Sequence, residues 1–123
     1  MTKNSKEKVE KSLKHLKEQH NKLYEAYQDF GKAIHTEGPI DEKTRLLIKV
    51  SLAASNNTPN TLRIQISKAI EFGCTLKEVE HAIWLTATNI GFPAMMESYI
   101  IFREIVDETD PMNELILDNI ISH

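Results

Sequence analysis

A single periodicity limits this chain more than any other feature. From Val9 the positions Leu13, Leu16, His20, Leu23, Tyr27, Phe30 and Ile34 follow in alternating steps of four and three. On a helix those steps place every one of them on one narrow stripe, whereas a strand would need a period of two. The same helical spacing continues to the end, interrupted by stop and start signals and never by strand alternation. Gly38-Pro39 closes the first helix, and Asp41 can cap a second, "EKTRLLIKVSLAAS", which "SNN" ends. Thr58 precedes Pro59 at the first position of a third helix, where the missing N–H costs nothing, and Gly73 closes it. Thr75 and Glu78 form a capping box for a fourth helix, with Cys74 and Val79 spaced as a hydrophobic staple. That helix is expected to continue through "VEHAIWLTATNI" to Gly91, and a fifth follows Pro93. A short sixth is capped by Asp110. The expectation is an all-α single domain spanning 1–123: an N-terminal helix over 1–36, a core over 40–106 and a C-terminal helix over 110–121.

Composition narrows function rather than fold. Formal net charge is -3 over 123 residues, so the general basic field that drives phosphate-backbone contact is missing, and nucleic-acid binding is not expected. The Lys-rich start is diluted by Glu and reads as a solvated helix face. Cys74 is the only cysteine, which rules out an intrachain disulfide, a paired-cysteine zinc site and a dithiol redox couple. Lysines break the first apolar positions, so no signal peptide is expected. No segment approaches the ~20 apolar residues of a membrane span, and a cytoplasmic location is expected.

The stretch 40–106 resembles the carboxymuconolactone decarboxylase and alkylhydroperoxidase D-like superfamily. The residues that carry the likeness are "IDEKTRLLIKVSLAAS", "KAIEFGCTLKEVEHAI" and "GFPAMMESY", in that order. The resemblance implies an all-α protomer that assembles with itself into trimers or hexamers. In the redox branch it also implies a glutamate, a Cys-x-x-Cys pair beginning twelve residues later, and a histidine four beyond the pair. Counted back from Lys68-Ala69, those positions fall here on Leu46, Thr58, Thr61 and Gln65. All four differ. Peroxide reduction needs a low-pKa thiolate and a resolving thiol, and threonine offers neither an accessible anion nor redox chemistry. A dithiol peroxidase mechanism at this site is excluded on chemistry. The decarboxylase branch commonly keeps the histidine, so Gln65 also departs from that pattern.

What remains is a frame with polar, uncharged groups at its reactive positions. Thr58, Thr61, Gln65 and Asn89 are the candidate ligand-binding residues, gathered near the Gly91 corner in a pocket between the second, third and fourth helices. Leu47, Val50 and Ile66 would supply its apolar walls. Arg45 and Arg63 are the nearest cations, suited to an acidic ligand or equally to exposed ion pairs, Arg45 with Glu42. His81 and Arg63 are candidate catalytic groups, although a helix or subunit contact is the simpler role for His81. His20 on the stripe reads as half-buried at a seam, and His15, His35 and His123 invite no role. Cys74 reads as a staple residue rather than a reactive thiol. No metal-ligand spacing is seen and no cofactor is expected. The function read here is binding or transformation of a small polar or acidic molecule. The alternative is a silent oligomeric interaction module whose first helix docks on a neighbour, and peroxidase activity stands third, by family label alone.

Overall fold

The computed structural model describes residues 2–108, with side chains from residue 7. All its regular elements are helical, as the periodicity requires. They are α1 (Thr2–Gln19), α2 (Asn21–Thr36), α3 (Glu42–Ser55), α4 (Pro59–Phe72), α5 (Leu76–Trp84), α6 (Ala87–Ile90) and α7 (Phe92–Asp107). The helix expected over 110–121 lies outside the described residues.

Most boundaries follow local chemistry. Asp41 caps α3 by accepting from the Thr44 amide at 3.2 Å and the Thr44 hydroxyl at 2.7 Å. At α5 the full capping box forms: the Glu78 amide donates to Thr75 Oγ1 at 3.1 Å, and the Thr75 amide donates to Glu78 Oε1 at 2.8 Å. Cys74 and Val79, the expected staple pair, are both buried. Gly73 ends α4 at φ +120°, a conformation that a side chain would strain, and its amide reaches the Ala69 and Ile70 carbonyls.

Two boundaries differ from expectation. The first helix is not continuous over 1–36: His20, with φ -139° and ψ 57°, breaks it into α1 and α2. Asn21 Nδ2 then donates to the Lys17 carbonyl at 3.3 Å, satisfying an acceptor near the break. The break lets α1 lie against α4 and α7 while α2 takes another course. His20 is consequently exposed rather than half-buried at a seam. The fourth expected helix is also divided, because Thr86 Oγ1 donates to the Ile83 carbonyl at 2.7 Å and competes with the helical ladder. Trp84 ends α5, and one turn, α6, carries the chain to Gly91.

The core lies among α3, α4, α5 and α7. Val50, Leu62, Ile66, Val79, Ile83, Phe102 and Val106 are essentially sealed from solvent. Phe102 stacks on Tyr99 with ring centroids 6.0 Å apart. Among the polar bonds that cross this core are Ser51 Oγ to the Ala82 carbonyl at 2.8 Å, Ser98 Oγ to the Ala54 carbonyl at 3.3 Å, and Tyr99 Oη to Glu80 Oε2 at 2.8 Å. By contrast α2 buries no residue, and Leu23, Tyr27, Phe30 and Ile34 are each at least 60% exposed. The stripe's second half faces outward.

Candidate functional site: a basic cleft between α2, α3 and α4

The walls anticipated between α3, α4 and α5 do not share one pocket. Val50 and Ile66, expected as pocket walls, have no exposed surface and belong to the core, while Leu47 lines a groove between α3 and α5. A cleft of about 340 Å³ lies instead on the other side of α3, where the end of α2 approaches α3 and α4. Helical register explains its lining. Glu42, Arg45, Leu46 and Lys49 share one face of α3; Gln65 and Lys68 are three apart on α4; Lys32, His35 and Thr36 come from the C-terminal end of α2.

The cleft is therefore strongly basic for its size. Lys32, Arg45, Lys49 and Lys68 face it, with His35, against one carboxylate, Glu42. These charges sense each other. Partial burial, then Lys68 and Arg45, push the Lys49 ammonium below its ordinary value. Burial, followed by Lys49, Arg45 and Lys68, pushes the His35 imidazole down, and only Glu42 opposes them. Arg45 is only partly neutralised: its Nη2 lies 3.9 Å from Glu42 Oε1, and its Nη1 donates to the Ile40 carbonyl.

Gln65 marks the inner wall. Its Oε1 is buried and meets no hydrogen-bond donor among the described residues. A buried carbonyl oxygen without a partner costs about 1–3 kcal/mol, which a ligand donor would recover. Rotation of the same carboxamide by half a turn presents N–H groups instead, so it can also donate to a carboxylate.

The other candidates are elsewhere. Thr58 Oγ1 donates to the Ala53 carbonyl at 3.0 Å and so ties the α3–α4 turn together. Thr61 is exposed on the same side of α4 as Gln65, but Thr58 starts roughly 10 Å before Gln65 along the axis, and neither threonine lines the cleft. Asn89 lines a separate groove with Ile48, Ser51, Leu52, Ser55, Leu85 and Thr86. Of the four expected ligand-binding residues, Gln65 and Asn89 thus line different grooves, while Thr61 shares a face of α4 with Gln65.

Arg63 points away from the cleft, about 160° from Gln65 around α4. Its Nη2 lies 3.7 Å from Glu104 Oε2 of α7. His81 is exposed beside Lys77, Glu80 and Trp84. Met95 is buried in the core and Met96 packs against it, so both serve packing. Cys74 is buried, and burial followed by the Glu78 charge raises its thiol pKa, the reverse of what a reactive thiolate needs.

The matched family profile is decisive for identity: carboxymuconolactone decarboxylase family, over residues 21–104, about two-thirds of the chain. The chain belongs to the carboxymuconolactone decarboxylase family. No curated protein sequence matches it. The match begins at Asn21, the first residue of α2, so the helix that closes the cleft lies within the decarboxylase-family region and α1 precedes it. Among the described residues no group of three His, Cys, Asp or Glu side chains is placed to hold a metal ion, and no helix is long and apolar enough to cross a membrane.

Of the basic lining, Arg45 was singled out in the sequence and Lys32, His35, Lys49 and Lys68 were missed, because its members are contributed by three helices. A signal did exist: Arg45 and Lys49 are four apart and flank Leu46, Lys68 is three beyond Gln65, and Lys32 and His35 are three apart.

Proposed function

We propose that this member of the carboxymuconolactone decarboxylase family binds a small carboxylate-bearing molecule in the cleft between α2, α3 and α4. The observation that carries this reading is a concentration of like charge: four lysine and arginine side chains and one imidazole around about 340 Å³, opposed by one carboxylate. Crowded cations cost folding free energy, and an anion removes that cost. Arg45 offers a planar donor fork for a carboxylate, and Lys49 and Lys68 offer point charges. Leu46 supplies an apolar wall, and Gln65 supplies an unpaired amide edge for orientation. Transformation of the ligand as a lyase would be an added step, for which neither Leu46 nor Gln65 supplies a proton. Peroxidase chemistry has no support in the cleft, since Cys74 does not line it.

A thermal-shift and calorimetric screen of small mono-, di- and tricarboxylates, including aromatic-catabolite lactones, tests this. Saturable binding that Lys49→Met weakens is expected. A flat response to all of them would remove the reading.

A second reading, self-association, is favoured by a separate observation. Leu23, Tyr27, Phe30 and Ile34 form a continuous apolar row on α2, exposed among the described residues. A row of this size on a soluble helix marks a contact surface. A second copy of this chain is the proposed occupant, because Ile48, Leu52 and Leu85 line a half-apolar groove open on the same molecule. Tyr27→Glu with Phe30→Glu should reduce the mass measured by light scattering to that of one chain. An unchanged mass would take α2 out of the interface.

A further inference from the structure

His35 drew no functional reading from its position in the sequence, yet the fold seats it in the basic cleft. The groups facing it are Lys32 and Thr36 from its own helix, Glu42, Arg45 and Lys49 from α3, and Gln65 and Lys68 from α4. We propose that the cleft takes up a proton together with its anion, and that His35 is the group that receives it. This rests on the anion-binding reading above and adds a property that anion binding alone does not require.

The argument is one of field reversal. In the empty cleft, partial burial and three neighbouring cations disfavour the imidazolium, and Glu42 alone favours it. An anion seated among Arg45, Lys49 and Lys68 cancels their field at His35. It also gives an imidazolium N–H an acceptor, which the surrounding ammonium and guanidinium groups cannot provide. Both changes favour the charged ring. No covalent bond is made or broken: one proton passes from solvent to the ring nitrogen that is unprotonated in the neutral form.

The sign follows. The empty protein's imidazole sits below its ordinary value, and the occupied protein's sits higher. Between the two midpoints the complex holds one more proton than the free protein. Anion affinity therefore rises as pH falls through that window, by up to tenfold per pH unit, the ceiling for one linked proton. A cleft of lysines and arginine alone would bind with nearly constant affinity over the same range, because those groups stay charged throughout it.

Sulfate is the probe of choice, because it keeps both negative charges across the accessible range and any proton taken up must go to the protein. Isothermal titration at constant ionic strength, repeated in buffers of different ionisation enthalpy, counts the protons. In parallel, the His35 ring resonance is titrated in the wild-type protein with and without sulfate and assigned by its loss in His35→Gln. The expected results are net proton uptake near neutral pH, an upward move of the His35 midpoint in sulfate, and His35→Gln binding with no uptake and a flat pH profile. Sulfate binding without uptake, or with uptake that persists in His35→Gln, would overturn this inference and leave the anion site standing. No sulfate binding at any pH would overturn this inference, and with a flat carboxylate screen it would overturn the anion site as well. If the variant does not fold, sequential assignment of the wild-type spectrum identifies the His35 ring among the five histidines, and its titration with and without sulfate decides the matter.

Discussion

Replacing Lys49 by Met separates stability from ligand binding at the proposed site. Lys49 is half-buried on α3, and burial, then Lys68 and Arg45, disfavour its charge. Methionine keeps much of the aliphatic stem and removes the charge. Like-charge pairs on helix surfaces cost about 0.2–0.5 kcal/mol each. Two such pairs are relieved, so the empty variant should gain about 0.5–1 kcal/mol. At about 2.1 cal/mol/K per residue, unfolding of a chain this long turns that gain into a Tm rise of about 2–4 °C. Binding should move the other way: loss of one charge-assisted contact, about 1.5–3 kcal/mol, weakens affinity roughly 10- to 150-fold. Thermal melts with and without sulfate, backed by urea titration, measure both effects. The folded-state Lys49 value is below its unfolded value, so the folded protein binds fewer protons in the window between them. The wild type's deficit is thus fully present at neutral pH and closes as pH rises through that alkaline window. A lower Tm for the empty variant would refute the reasoning, because it would mean that the Lys49 charge is paired and structural rather than crowded.

Other consequences can be checked independently. Tyr99→Phe removes the donor to the buried Glu80 carboxyl and should destabilise the protein by about 1–3 kcal/mol in urea denaturation, with little effect on anion affinity. Lys43, first, and then the Thr75 amide hold the Glu78 carboxyl below its ordinary value. Its contribution is therefore present above the unfolded carboxylate value and lost as pH falls through the folded one, so Glu78→Gln should flatten the acid side of the Tm–pH curve. Cys74 should react with iodoacetamide more slowly than a free thiol in the native protein and at the free-thiol rate in denaturant; fast native labelling would contradict its burial and raised pKa.

How much of this was legible beforehand depended on the range of the interaction. The caps at Asp41 and Thr75 and the stop at Gly73 are bonds between residues three or four apart, so residue type and spacing were enough to place them. The all-α class followed from the same local rules, and the family likeness followed from their order. Local rules failed at His20 and Thr86. No proline or glycine marks either break; one helix bends so that α1 can reach α4 and α7, and a hydroxyl captures a carbonyl.

The sequence by itself determined what the chain is unable to do: with one cysteine, and with Thr58, Thr61, Gln65 and Leu46 at the altered positions, no dithiol couple can form, because that is a matter of atoms present. Only the tertiary structure decided what stands in that couple's place. Thr58 spends its hydroxyl on Ala53 and Arg63 turns to Glu104, while His35, Arg45, Lys49 and Lys68 converge beside Gln65 from three helices. Charge crowding depends on distances through space between segments remote in the chain, and helical periodicity carries no record of which faces will meet.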